Sequence, residues 1–373
     1  MMTLEGKDLE YVVKRLSEYY GSFDRIDDYF RERKRQRVEK LPQSLFGIEH
    51  DLFSDFDMSP EDMEFEIIDS LPYSQWNNYL EHLSSHTNDT NPGKNVPFVI
   101  REKNTGKYVG FIRLGSPTIN SKPRFNLFGG VPDLEKVNKH IIMGFVVVPV
   151  QPFGFNYLGG KLLTLICTSH EVREMVNKKY GCDVCMFETT SLYGSIKPSS
   201  QYDGLKPFVR YNGDTESKFL LTMSDSIYKE MNAFFQSKND GEPLIHKEAS
   251  SRKLKTQTKM ISIVKRSLKE AGNQEEYDKF VGFLDKSQSL TTKKRSYSST
   301  YGFANAVDYI LGKDDKLIKK ENYERYSFDN VVKWWKNKAT KRYNKLKEQG
   351  RLRTEMEVWN GDASNMEAID IIR

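Results

Sequence analysis

The sequence predicts an α/β fold, and three observations carry that prediction. Ile141 to Val150 (IIMGFVVVPV) is a continuous apolar run of strand length, as expected of a strand covered on both faces. Leu158 to Lys179 places Leu162, Leu163, Leu165, Ile166, Val172, Met175 and Val176 at helical spacing, and Tyr180 with Gly181 ends the helix. Val184 to Glu188 then reads as a further strand. A strand, a helix and a strand in series make the two strands parallel neighbours joined by a right-handed crossover.

The remaining elements follow in order. Phe98 to Arg101 and Tyr108 to Leu114 flank Asn104-Thr105-Gly106-Lys107, the pattern of a β-hairpin. Residues 115–138, with Pro117, Pro123, Gly129, Gly130 and Pro132, read as an inserted loop. Upstream, Leu9, Val12, Val13, Leu16 and Tyr20 predict a helix that Gly21 and Ser22 interrupt, with a second helix from Asp24 to Leu41. Residues 49–69 are acidic, and Pro60-Glu61-Asp62 reads as a helix start. His82 to Lys94 has loop composition. Beyond the polar loop at 191–214 the chain is expected to be helical to about Gln349, with a Ser/Thr/Lys-rich break at Ser289 to Tyr301. The expected division is an acidic, mainly helical module (1–90), an α/β core (97–222), a basic helical region (223–353) and an acidic tail (354–373).

Composition narrows the class. A chain of 373 residues with 38% hydrophobic content suits two domains with real cores. No stretch approaches the roughly 18 apolar residues that cross a bilayer, and the first ten residues lack a secretory apolar run. Three cysteines exclude a disulfide framework and point to a reducing, cytoplasmic setting. Cys167, His170, Cys182 and Cys185 form an inventory that suits zinc, but their helix and strand positions favour core packing, and no metal is expected. Residues 1–90 carry 10 basic and 20 acidic side chains, whereas residues 246–353 carry 27 basic and 13 acidic. An acidic front thus precedes a basic rear, whose natural partner is a polyanion such as DNA. A solvated lysine-rich surface is the plain alternative.

The turn Gln151-Pro152-Phe153-Gly154-Phe155-Asn156-Tyr157-Leu158-Gly159-Gly160 joins the apolar strand to the helix. It resembles the acyl-CoA pyrophosphate loop of the GNAT acyltransferase superfamily: Gln151 and Gly154 match, while Asn156 replaces the last small residue and Pro152 removes an amide hydrogen. The resemblance implies a GNAT-like mixed sheet with a crossover helix, and acyl-CoA held by Gln151, Gly154, Asn156, Gly159 and Gly160. Glycines needed only for packing are the rival reading. A narrower resemblance rests on Val146-Val147-Val148-Pro149, Gly159-Gly160-Lys161-Leu162-Leu163, Tyr180-Gly181, Glu188-Thr189 and Leu192-Tyr193-Gly194-Ser195. These runs are similar to the core shared by bacteriophage Mom DNA-modification proteins and DruA anti-phage proteins. The Mom branch implies carbamoylmethylation of adenine, and the DruA branch implies a defence role, in a bacterial or phage-infected cell.

On that basis the expected function is a DNA-directed, acyltransferase-like enzyme that modifies a nucleobase. The alternative is a non-catalytic nucleic-acid-binding phage or defence protein on a degenerate GNAT-like scaffold. An ordinary GNAT acting on a protein or small amine would leave the basic rear unexplained. Glu188, at a strand end, is the first candidate base, against the plain reading of a Glu paired with a nearby Lys or Arg. Tyr193 and Tyr202 are candidates to position an exocyclic amine, and Asp203 to orient substrate. Arg210 is a candidate phosphate contact. In the rear, Lys333, Trp334, Lys336, Lys338, Lys341, Arg342 and Lys345 combine cations with aromatics, suiting backbone contact and base stacking. Trp334, Trp335, Tyr343 and Leu346 equally suit the apolar stripe of a helix docked on the core.

Overall fold

The helical periodicity of residues 7–40 takes form as α1 (Gly6–Gly21) and α2 (Ile26–Val38) in a computed structural model. It describes residues 2–39, 48–86, 88, 93–191, 199–216, 221–249, 252–290 and 294–360. The chain divides into two compact units. Met1–Glu39, Ser85–Thr87 and Glu216–Lys293 form the first; Lys40–Ser84, Asn88–Thr215 and Lys294–Arg373 form the second. This grouping differs from the serial division by charge, because α1 meets α10 residues more than 200 positions downstream and α2 meets α10 from 190 away.

The first unit is all-helical among its described residues. It joins α1 and α2 to α10 (Asp225–Ser237), α11 (Arg252–Glu270) and α12 (Gln274–Ser289). Leu9, Val12, Val13, Leu16 and Tyr20 of α1 are buried, as are Met260, Ile263, Val264 and Leu268 of α11 and Phe280 and Leu284 of α12. Opposite charges pair across its surface: Asp8 with Lys238 (2.6 Å), Asp24 with Lys286 (2.6 Å) and Glu230 with Arg15 (2.9 Å). In the first two pairs an acid of the front meets a downstream base, and in the third Arg15 of the front meets a downstream acid; exposed pairs of this kind contribute little stability.

The second unit is α/β. Among the described residues seven strands lie in the order β1-β2-β3-β4-β5-β7-β6. They are β1 (Phe65–Ile68), β2 (Asn95–Glu102), β3 (Lys107–Gly115), β4 (Ile141–Pro149), β5 (Met186–Ser191), β6 (Arg210–Asp214) and β7 (Arg295–Ser299). Only β4 and β5 pair in parallel; the others are antiparallel. The short α3 (Ile48–Asp51) and then α4 (Tyr73–Leu83) precede β2, and Trp76 of α4 donates its indole N–H to Phe98 O (3.1 Å). The connection from β4 to β5 carries α7 (Phe153–Tyr157), α8 (Gly159–Cys167) and α9 (His170–Tyr180). After β7 come α13 (Ala306–Leu311), a 3-10 turn (Tyr323–Tyr326) and α14 (Phe328–Glu348). Among the described residues no helix is long and apolar enough to cross a membrane.

Four local expectations are corrected. The acidic stretch around Pro60 makes a turn and then β1 rather than a helix, since Glu66 and Glu64 find Arg101 (2.7 Å) and Lys103 (2.8 Å) on the β2 side. The inserted segment 115–138 contains α5 (Lys122–Phe128) and most of α6 (Leu134–His140), capped by the side chains of Ser121 and Asp133. The long crossover helix breaks at Thr168 and Ser169, where Ser169 Oγ accepts from Val172 N (3.3 Å) and starts α9. The Ser/Thr/Lys-rich break at 289–301 contains β7, which fills the place between β5 and β6. The whole 216–293 segment of the first unit is thus inserted between two paired strands, and Thr215 N donates to Lys294 O (2.7 Å) where the chain leaves and returns.

The cysteines lie in or beside the core. Cys167 and Cys185 are buried, and burial pushes the Cys185 thiol up to about 12. His170 stacks on Tyr323 (4.0 Å between ring centres) with Nε2 3.2 Å from Tyr301 O. Its burial holds the imidazole below the ordinary 6.5. The unfolded chain then binds the proton first as pH falls, so stability should drop below about pH 6.5. Urea unfolding at pH 7.5 and 5.5 is expected to show this loss, and His170→Gln to flatten it.

Candidate functional site

The site begins where the parallel pair ends. The β4–β5 ladder runs from Ile141↔Met186 to Gly144↔Thr189, while β4 continues to Pro149. The crevice beyond the carboxyl ends of parallel strands is where α/β folds place ligands. Here residues 201 and 202 reach into it. Gln201 Nε2 donates to Val147 O (3.1 Å), and Thr189 Oγ1 lies 3.0 Å from Gly144 O and 3.3 Å from the Tyr202 hydroxyl.

Asp203 organises the next layer. One carboxylate oxygen accepts from Ser200 N (2.9 Å) and Arg295 Nη1 (2.8 Å), and the other accepts from the Tyr297 hydroxyl (2.9 Å). The Arg295 guanidinium lies over the Tyr211 ring at 4.5 Å, and the rings of Tyr202 and Tyr297 are 5.2 Å apart. Lys161, from the first turn of α8, donates its ammonium to the backbone oxygen of Asp203. Burial lowers the Lys161 pKa, Asp203 partly offsets this, and the charge of Lys338 lowers it further. Burial raises the Tyr297 hydroxyl well above its ordinary value. A half-buried lysine on the backbone of Asp203, with that residue's carboxylate and the Tyr297 hydroxyl beside it, offers donors and acceptors for a polar ligand.

Glu188 lies one strand position before Thr189, and both its oxygens are engaged. Arg124 of α5 donates Nε to one oxygen (2.9 Å) and Nη2 to the other (2.6 Å), and both side chains are buried. Arg124 Nη1 also reaches Thr118 O (2.8 Å) and Ile119 O (3.2 Å). The pair therefore fastens the 118–128 segment to the sheet. Arg113 is buried with its guanidinium 5.3 Å from the Phe145 ring centre. Arg210 is exposed on β6. Tyr193, with residues 192–198, lies outside the described residues.

The turn after β4 does not fit a pyrophosphate. The amides of Gly154, Phe155 and Asn156 already have acceptors in Val150 O, Gln151 Oε1 and Pro152 O. A Cβ at Gly154 would strike Gln151 and Pro149, one at Gly159 would strike Phe153, and one at Gly160 would strike Gln201. These glycines admit neighbouring side chains of the protein itself. Asn156 is fully buried and exchanges two hydrogen bonds with the backbone of Arg353 (2.7 and 3.0 Å).

Helix α14 sorts its aromatics from its cations. Trp335 and Tyr343 are buried; Trp335 donates to Tyr157 O (2.9 Å), and Tyr343 stacks on Tyr157 at 5.2 Å. Trp334 is half-buried, edge-on to Phe208, with Lys338 Nζ 5.3 Å from its ring centre. Lys333, Lys338, Lys341, Lys345 and Lys347 are exposed. Lys336 is half-buried and bonds Glu61 O (2.8 Å), and Arg342 is half-buried over Phe155 at 4.8 Å.

Sequence reasoning missed Arg124, Arg295, Tyr297 and the role of Lys161. Ser121 followed by Pro123 carried a helix-start signal for Arg124's element. Arg295 and Tyr297 sit two apart, as on one face of a strand, but in a segment too polar to read as one. Among the described residues no group of His, Cys, Asp and Glu is arranged to hold a metal.

The Arg124–Glu188 pair gives a direct test. Arg124→Met, which leaves a buried carboxylate alone, should cost about 3–5 kcal/mol, and adding Glu188→Leu should recover much of it. Urea midpoints of the two variants check this; an unmoved midpoint for the single variant would mean that the pair is not buried in solution.

No curated protein and no solved structure matches the chain. A family model described as Druantia protein DruA matches residues 33–279, from within α2 into α12. The match takes in β1 to β6, Lys161, Glu188 and Asp203, whereas β7 and α14 lie beyond it. Covering well over half of the sequence, it shows that the chain belongs to the DruA family and is a phage-defence-related protein.

Proposed function

We propose that this DruA-family protein acts on nucleic acid during phage defence, gripping the phosphate backbone through the outward lysines of α14. One observation carries the reading: Trp335, Tyr343 and Leu346 are buried while Lys333, Lys338, Lys341 and Lys345 are exposed on the same helix. The aromatics anchor a helix that keeps its cations in water, where each neutralised phosphate releases counterions. Arg210 on β6 is a further cation of the second unit open to solvent. Trp334, half-buried, keeps part of its ring for stacking.

Four such contacts predict that duplex binding weakens about a hundredfold between about 50 and 200 mM salt. Fluorescence anisotropy with a labelled duplex tests this, alongside Lys338→Glu/Lys341→Glu/Lys345→Glu, which should abolish binding with the fold intact. Binding indifferent to both salt and charge reversal would end the reading.

A second reading, modification of a nucleobase, draws support from Lys161, Asp203, Tyr202 and Tyr297. Burial shifts the proton affinities of Lys161 and Tyr297, and perturbed groups clustered with a carboxylate mark functional sites more often than surfaces. In this reading Asp203 and Tyr202 orient the base, Lys161 exchanges the proton, and a flipped or unpaired nucleotide enters. Glu188, held by Arg124, tethers α5 to the sheet instead of acting as the base. The donor is not acyl-CoA seated on the turn after β4, since that turn is filled from within. Nucleoside mass spectrometry of DNA from expressing cells should reveal a new nucleoside that Asp203→Asn abolishes. Unmodified DNA in both samples would leave the binding reading alone.

A further inference from the structure

We infer that Phe155, Arg342, Arg351 and Arg353 form a discrete site for a phosphate group. The site is assembled around one aromatic ring. The guanidinium carbon of Arg353 lies 4.0 Å from the centre of Phe155, and that of Arg342 lies 4.8 Å from it. Arg351 is close enough for its charge to bear on Arg342.

The backbone that delivers these arginines is held from below. Asn156 accepts from Arg353 N (3.0 Å) and donates to Arg353 O (2.7 Å), and Glu357 N donates to Gln151 O (3.2 Å). A fully buried amide side chain thus fixes where Arg353 leaves the chain. Such fastening fixes the backbone from which Arg353 reaches the Phe155 ring, where the Arg342 guanidinium also lies.

The charges of this set are poorly balanced within the protein. Arg353 contacts one carboxylate, Glu357, at 3.2 Å. Arg351 donates to the neutral Gln349 Oε1 (3.1 Å), and among the described residues the buried Arg342 Nε–H has no acceptor. Burial, together with Arg351 and Arg353, lowers the Arg342 pKa, the direction that like charges impose. An incoming dianion would relieve that repulsion by engaging the exposed guanidiniums of Arg351 and Arg353. Planar guanidiniums match phosphate oxygens in pairs, which favours phosphate over a simple halide. Phosphate of this kind reaches the protein either in a nucleic-acid backbone or on a free nucleotide.

The experiment is calorimetric titration of the full chain with inorganic pyrophosphate, and anisotropy with a labelled oligonucleotide. The variants are Arg351→Gln/Arg353→Gln, both exposed positions, and Lys341→Gln/Lys345→Gln on the outward face of α14. Pyrophosphate should bind the wild type and the lysine variant, and the arginine variant should lose about tenfold or more in affinity. No binding by the wild type, or equal binding by the arginine variant with an unchanged melting temperature, would overturn the site. If oligonucleotide affinity falls with pyrophosphate affinity in the arginine variant, the ligand is backbone phosphate. If only pyrophosphate affinity falls, it is a free phosphate compound. Failure of every protein to bind the oligonucleotide would remove the nucleic-acid reading yet leave this site standing on pyrophosphate.

Discussion

Strand β7 enters the sheet only after the chain has left it at Thr215 and returned at Lys294, and the candidate site depends on that return. Its pairing with β5 sets Ser299 against Phe187 and Arg295 against Ser191, and its pairing with β6 sets Arg295 against Asp214. The register leaves Arg295 and Tyr297 on one face, two residues apart, both reaching Asp203. A slip of one residue would turn both to the opposite face and dissolve the cluster. The closing contacts between Thr215 and Lys294 therefore do more than seal a neck: they fix the starting point of the register.

Two carboxylates near the parallel pair have opposite physical roles. Glu188 is buried and spends both oxygens on a buried Arg124, so its charge is compensated within the protein and serves to tether α5. Asp203 is about a third exposed, bonds groups from three directions, and faces a lysine whose ammonium is disfavoured by burial. Desolvation makes a lone buried charge expensive, which explains why Glu188 is fully paired. Partial exposure leaves Asp203 open to a ligand. Glu188 and Thr189 are consecutive on β5 and so point to opposite faces of the sheet, and the cluster around Asp203 gathers on the Thr189 side, where Tyr202 meets Thr189.

The turn after β4 and helix α14 are coupled through Tyr157, whose ring supports Tyr343 and whose carbonyl accepts from Trp335. The aromatics commit α14 to the second unit, and only its lysines remain to form an outward field. The same turn, through Gln151 and Asn156, holds the segment after α14 and with it Arg353. Glycines that looked like a phosphate cradle serve to bring chain close to chain, and the positive charge arrives on side chains instead of backbone amides.

Much of this was legible beforehand. The apolar run 141–150, the helical spacing of α1 and the hairpin around Gly106 identified their elements because local pattern and burial agree there. The contrast between an acidic front and a basic rear was legible too, since net charge needs no fold to be counted. The ion pair of Glu188 was anticipated as a type, but Arg124 was not, because its partner lies 64 residues away. The strand β7 stayed hidden because Arg-Ser-Tyr-Ser-Ser lacks apolar alternation and becomes a strand only between two others. Local periodicity, then, determined the α/β class and the order hairpin, apolar strand, helix, strand, and composition determined the basic character of the rear. Tertiary structure alone decided which charges meet, because ion pairs and sheet register join residues far apart in sequence, and only packing sets their distance.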